Sequence, residues 1–196
     1  MDEDTGLTHV GRAIIDAMER VGMVLCLSHT GQRTAVEALE YSKNPVIFSH
    51  ANPYGDTPHP RNVSDRLLLA CAHKGGVIGL SGIGPFLGVS STSGEPMLSG
   101  QLVNRLLSQL RYVIDLVGPA HVGLGLDYVF DRSGFDENVR RNATLYPMGV
   151  TGELSMIEPE SIGTIAEGLA QGKLTDEQIR GTMGENWLRI ATQVWR

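Results

Sequence analysis

Met23-Val-Leu-Cys-Leu-Ser-His29 and, 21 residues on, Pro45-Val-Ile-Phe-Ser-His50 repeat one pattern, a short apolar run closed by Ser-His. A run that is apolar at every position fits a strand buried on both faces. Between the two lies Arg33–Ser42, which reads as a helix with Val36, Leu39 and Tyr41 inward, broken at Asn44-Pro45. Strand, helix, strand predicts a parallel pair. In parallel α/β folds the C-terminal strand ends share one rim, where sites are built. Neighbouring strands lie about 4.8 Å apart. His29 and His50 would then stand side by side, close enough to reach a common metal ion.

Outward from this pair the alternation continues. On the N-terminal side a helix is expected from Thr5, with Leu7, Val10, Ile14, Ile15 and Met18 on one stripe and Gly22 as its stop. After His50 comes a loop with Pro53, Pro58 and Pro60, then a helix over Asp65–His73 capped by Asn62 or Ser64. Val77–Leu80 reads as a third strand, followed by glycine-rich Ser81–Gly88 and a polar surface loop over Gly88–Gly100. Leu102–Leu116 is strongly periodic and helical. Val122–Leu126 is a fourth strand ending at Asp127. Asp131–Pro159 has weak periodicity and reads as an irregular excursion. Helices are expected over Pro159–Ala170 and from the capping-box start at Thr175, with a break at Gly184 before Asn186–Trp195. Four strands alternating with helices mean a parallel α/β sheet. A closed eight-stranded barrel takes about 250 residues. Residues 1–196 therefore read as one partial domain, a small open sheet or part of a barrel.

Composition excludes several function classes. With 16 basic and 22 acidic residues the formal net charge is −6, and no Lys/Arg stripe offers a surface for nucleic acid. No apolar run approaches the roughly 18–20 residues of a membrane helix. Met1-Asp-Glu-Asp is acidic where a secretory signal would be basic. Cys26 and Cys71 form no CxxC motif and no disulfide framework, which favours a reducing, cytoplasmic compartment.

Asp127 joins the two histidines as a third strand-end residue, a further ligand or a proton-transfer group. Arg61 lies 11 residues past His50, in the loop above the same rim. A guanidinium there could clamp a substrate carboxylate through two bonds, or be a solvated loop residue. His9, His73 and His121 read as surface or packing residues, and His59 as loop structure. Gly82-Ile-Gly-Pro-Phe-Leu-Gly88 lacks the Lys-Ser/Thr ending of a phosphate loop.

These stretches together resemble the membrane dipeptidase (renal dipeptidase) family of zinc peptidases. The resemblance rests on Val24-Leu-Cys-Leu-Ser-His29-Thr-Gly, Pro45-Val-Ile-Phe-Ser-His50-Ala-Asn, Arg61-Asn-Val, Val122-Gly-Leu-Gly-Leu-Asp127 and Gly184-Glu-Asn-Trp-Leu-Arg189. It spans nearly the whole chain and is stronger to the bacterial branch, notably in Gly-Leu-Asp-Tyr-Val-Phe-Asp. It implies an α/β barrel of the TIM type, two zinc ions in the complete enzyme, and dipeptide substrates. By the same resemblance His29 and His50 would ligate one zinc, and Arg61 would hold the substrate carboxylate. Asp127 would assist proton transfer and hold the substrate's amino end. The family's His-x-Asp pair has no counterpart here, and no Glu stands where its bridging carboxylate is expected. Cys26 stands where the family usually has Asp. The chain thus resembles the C-terminal half of a dipeptidase, four βα units and closing helices, expected to be an N-terminally truncated form inactive by itself. Other readings are a non-catalytic half-barrel that binds or assembles, expected as a homo-oligomer covering its own open edges, and another metal-dependent hydrolase on the same barrel.

Overall fold

A computed structural model describes residues 4–89, 99–142 and 154–196. Its centre is a four-stranded parallel sheet, β1 (Leu25–Cys26), β2 (Val46–Phe48), β3 (Val77–Leu80) and β4 (Val122–Leu124). The strands pair in chain order, β1-β2-β3-β4. Helices α2 (Gln32–Tyr41), α3 (Asp65–His73) and α4 (Ser99–Val117) make the crossovers. All three pack on one face, where Val46, Phe48, Ile78, Leu80 and Val122 meet Leu39, Leu68, Leu106 and Leu110 in one core. Sequential parallel winding with helices on one face is that of a TIM-type (β/α) barrel. The sheet is part of such a barrel, and among the described residues β1 and β4 are its edge strands.

The other face of the sheet is sealed at its N-terminal end by α8 (Asn186–Val194), whose Ile190 and Val194 cluster with Val77, Ile47 and Val24. Trp187 lies over Gly79 and Gly123, where a Cβ on either glycine would collide with the indole. The two glycines are register partners across β3 and β4, so together they leave a slot for the ring. Asn186 locks the helix in place: its Nδ2 donates to Val122 O at 2.7 Å and Pro119 O at 2.8 Å. Arg189 adds bonds to Gly75 O and Ala120 O.

Several expectations need correction. The first helix, α1 (His9–Val21), starts later than Thr5, because Thr8 supplies the N-cap and accepts from Gly11 N at 3.0 Å. Gly22 ends it with φ 73°, as expected. The expected stripe is only partly covered: Ile15 is buried and Leu7 packs against the core, while Val10 is 65% and Ile14 54% exposed. The helix precedes the edge strand β1 and touches α2 through Tyr41, whose hydroxyl donates to Asp16. β1 is shorter than Met23–Leu27, and among the described residues β2 is the strand it pairs with. The span expected to be irregular contains α5 (Arg132–Arg141), capped by Asp131, which accepts from Gly134 N at 3.0 Å. It buries only Val139, which explains its weak apolar period. The polar-loop expectation for Gly88–Gly100 falls mostly on 90–98, outside the described residues.

The C-terminal reading holds. A 3₁₀ turn at Pro159–Ser161 leads into α6 (Ile162–Gln171), and the Thr175–Gln178 capping box opens α7 (Asp176–Arg180) with both reciprocal bonds present. A π turn at Gly181–Glu185, non-helical at Gly184, separates α7 from α8.

Helices α3 and α4 are tied by the Tyr112 hydroxyl, which donates to Asp65 Oδ2 at 2.6 Å. Asp65 pushes the phenol up to about 12. A group whose folded pKa lies above its unfolded value near 10 contributes stability that is full below pH 10 and lost as pH rises towards 12. Ultraviolet titration should therefore find Tyr112 among the late-ionising of the five tyrosines, beside Tyr41, which its hydrogen bond to Asp16 also raises, and Asp65→Ala should bring Tyr112 down towards the ordinary range.

Candidate functional site

The parallel register Leu25↔Val46 and Cys26↔Ile47 brings the ends of β1 and β2 level. Beyond them His29 Nε2 and His50 Nε2 meet at 2.7 Å, with ring centroids 4.8 Å apart. His29 reaches this position through a left-handed backbone, φ 66°. A non-glycine residue there is uncommon and signals a held conformation. Asp127, beyond β4, has the same kind of backbone, φ 57°. Its carboxylate is exposed and lies near enough to His29 and Arg61 to favour their charged forms.

The two Ser-His endings serve different ends. Ser28 Oγ donates to His50 O at 3.2 Å and accepts from His50 N at 3.1 Å, so it clasps the backbone beside the second histidine. Ser49 Oγ lies 2.8 Å from His50 Nδ1, behind the ring, and 3.1 Å from Cys26 Sγ. Gly125 packs directly on this turn, since a Cβ there would overlap Ser49 O.

Arg61 completes the cluster. Its Nη2 approaches His29 Nε2 at 3.0 Å, and its guanidinium lies 5.4 Å from the centroid of the Phe86 ring. His59 accepts from Arg61 N at 3.1 Å and packs on the same ring, so it is a loop-shaping residue. Burial, then the charges of Arg61 and His50, hold His29 below the usual histidine range, against the pull of Asp127. Burial also raises the Cys26 thiol, but hydrogen bonds from Ser49 and Ser28 outweigh it and leave the thiol below its ordinary value. Beside the cluster a cleft of about 790 Å³ runs between the His29–Arg33 and Pro60–Leu67 segments.

The loop that carries Arg61 is pinned from below by a polar network that the sequence reading did not find. Gln109 of α4 is fully buried; its Oε1 accepts from Asn52 Nδ2 at 2.7 Å and its Nε2 donates to Asp56 Oδ2 at 2.9 Å. Arg105 Nη2 bonds the same Asp56 oxygen at 2.7 Å, and its Nε donates to Leu87 O. Asn62 Nδ2 donates to Thr57 O and Phe86 O, just beside Arg61. The available signal was a Gln at a core-facing position of an otherwise apolar stripe, Leu102, Leu106, Leu110 and Val113.

The chemistry of the histidine pair fits two ligands of one metal ion: two imidazole nitrogens converge, and one ring is held from behind, as ligating histidines generally are. The pair does not make a whole site. Among the described residues no group of three or more His, Cys, Asp or Glu is placed to hold an ion.

The model of the membrane dipeptidase family, peptidase family M19, matches residues 1–147. The chain belongs to this family. An uncharacterised dipeptidase of Schizosaccharomyces pombe is 33% identical over 187 residues, covering 95% of this chain and 39% of its own length. The dipeptidase tcpJ of Claviceps purpurea is 29% identical over 191 residues, 96% of this chain and 39% of its own. Among solved structures an amidohydrolase from Pseudomonas aeruginosa superposes with a TM-score of 0.79 at 31% identity, over 97% of this chain and 58% of that one. This dipeptidase-family chain thus spans about two fifths of the length of the curated relatives it matches. The matched family is, by its description, one of peptidases. No helix among the described residues is long and apolar enough to cross a membrane.

Truncating Gln109 to Ala should leave Asn52 and Asp56 short of buried partners, at a cost of about 1–3 kcal/mol. Urea denaturation at pH 7 measures this. Burial raises Asp56, but Gln109, Thr57 and Arg105 outweigh it, so its carboxyl sits below the ordinary range. A depressed folded pKa gives stability that is present above the unfolded value near 4 and lost as pH falls through the folded one. The wild-type advantage over Gln109→Ala should therefore shrink below about pH 4.

Proposed function

We propose that this chain carries half the catalytic apparatus of a zinc-dependent dipeptidase, with His29 and His50 as ligands of one zinc, and that it is inactive by itself. The observation that carries the reading is the 2.7 Å convergence of the two Nε2 atoms at the rim of a family-matched barrel sheet. The inactivity rests on the ligand set: structural zinc takes four protein ligands and catalytic zinc usually three. The described residues offer two.

In the assembled enzyme, zinc would supply Lewis acidity and an activated water. The remaining roles fall to this chain's own side chains. Arg61 would bind the substrate's carboxylate through its planar fork. Its present neighbour on that atom is a neutral imidazole, which a carboxylate would outcompete. Asp127, exposed beside His29 and Arg61, would take a proton from the attacking water and pass it to the leaving amine while holding the substrate's amino end. Two zincs per complete enzyme, a dipeptide substrate and a cytoplasmic setting belong to the same reading; both cysteines are free, in keeping with a reducing compartment. A homo-oligomer is the expected form of the free chain, because the β1 and β4 edges invite pairing.

Metal analysis should find less than one zinc per chain, and His29→Ala or His50→Ala should remove it. Two tightly held zincs per chain, or a monomer that cleaves Gly-dipeptides, would overturn the half-site reading. In the assembled enzyme Asp127→Asn should lower kcat roughly 10²–10⁴-fold with zinc content unchanged. Loss of zinc would make Asp127 a ligand instead. Arg61→Ala should raise KM more than it lowers kcat, with Lys rescuing only in part, since a clamp binds substrate and transition state alike.

A further inference from the structure

The cleft beside the histidine cluster runs between the N-terminal ends of α2 and α3. At about 790 Å³ it has the size of a small-ligand pocket. Its floor is apolar: Leu27, Val36, Phe48 and Leu67 come from the β1 end, α2, β2 and α3. Four charged side chains line it above that floor. Asp4 is engaged, since its carboxylate accepts from Arg33 N at 2.7 Å and Thr34 N at 3.2 Å at the start of α2. Arg33 is engaged as well, its Nε paired with Glu37 Oε1 at 3.0 Å. Arg61 lies at the histidine end, on His29. Arg66, exposed in the first turn of α3, has no side-chain hydrogen bond or ion pair among the described residues. In the same wall Ser64, the N-cap of α3, makes no capping bond, and its buried hydroxyl has no partner among the described residues.

Asp127 follows β4, whereas the cleft lies at the β1 and β2 end of the sheet. A dipeptide held by its amino end at Asp127 and by its carboxylate on Arg61 therefore places its second residue, not its first, against the cleft. We propose that this cleft is the specificity pocket for the C-terminal residue of the substrate, and that Arg66 makes it select an acidic one, glutamate above its neutral isostere glutamine. The inference rests on the reading of Arg61 as the carboxylate clamp. The apolar floor covers the methylene stem of such a side chain, and the Arg66 guanidinium meets its carboxylate at the mouth. Arg66 gives up no ion pair in doing so, because it has none to lose. A lysine or arginine side chain in the same place would meet a like charge. At an exposed guanidinium the selection is modest and screened by salt.

NMR chemical-shift titration of the full chain at pH 7 with Gly-Glu, Gly-Gln, Gly-Leu and Gly-Gly reads this preference as binding and needs no turnover. Both carboxylates of Gly-Glu are ionised at that pH. At low salt Gly-Glu should bind about 2–5-fold more tightly than Gly-Gln, and the ratio should approach one near 1 M salt. Gly-Gly, which leaves the floor uncovered, should bind more weakly than Gly-Gln. Arg66→Ala should remove the Glu-over-Gln ratio while leaving Gly-Gln affinity unchanged, and Arg66→Lys should keep part of it. A wild-type ratio of one, a ratio that survives Arg66→Ala, or Gly-Leu bound more tightly than Gly-Glu overturns the proposal. Arg61→Ala should weaken all four dipeptides. Four unchanged affinities in that variant refute the clamp, while the Glu-over-Gln ratio and its dependence on Arg66 still decide the acidic selection. No shift with any of the four overturns both.

Discussion

Leu25 pairs with Val46 and Cys26 with Ile47, and the rim takes its geometry from that ladder. Because side chains alternate along a strand, a slip of one residue would exchange the two faces. Leu27, now in the core, would turn to the open side, and Cys26 would be pressed among the helices. Ser49 would lose the sulfur behind it, and the histidine rings would part. The register is guarded from the helical face, where Val46 and Phe48 are fully buried, and burying such a side chain is worth about 1.5–3 kcal/mol. Apolar packing on one side of β2 thus sets polar chemistry at its end.

The second histidine and Arg61 sit at opposite ends of a proline-rich loop, which by itself would be loose. Its rigidity comes from α4. Gln109 spends a fully buried amide on holding Asn52 and Asp56, and Arg105 neutralises the same carboxylate. The network is satisfied at Gln109 and at the shared Asp56 oxygen, while Asn52 Oδ1 and Asn62 Oδ1 stay buried without a partner among the described residues. The site therefore depends on a helix whose own residues lie far from the histidine rings in sequence.

The βα units were legible because their apolar runs and breakers agree: Gly22 stops α1, Asn44-Pro45 ends α2, and Thr175 caps α7 in both directions. The rim pair was legible because two equal strand endings 21 residues apart can only become neighbours in a parallel sheet. Less was legible where burial is decided by distant partners. The apolar face of α1 carries the period of a core helix, yet its orientation depends on what lies beyond an edge strand. Helix α5 has almost no apolar period, because one residue of ten is buried, and its start is marked only by the Asp131 cap. Gln109 and Asp56 are 53 residues apart, and no local pattern links them.

Trp187 has a consequence in time. Its slot over Gly79 and Gly123 is complete once β4 is made, but the indole that fills it is 64 residues further on. Chains emerge at roughly 5–20 residues per second, so the slot stands open for about 3–13 s during synthesis. Over that interval two adjacent glycine strands present bare backbone and no side chain to either water or a neighbour. Helix α8 is then the element that closes the sheet, and a nascent chain stalled before it would carry an uncovered apolar patch made of Val77, Ile47 and Val24. Chaperone capture should be strongest for just those intermediates.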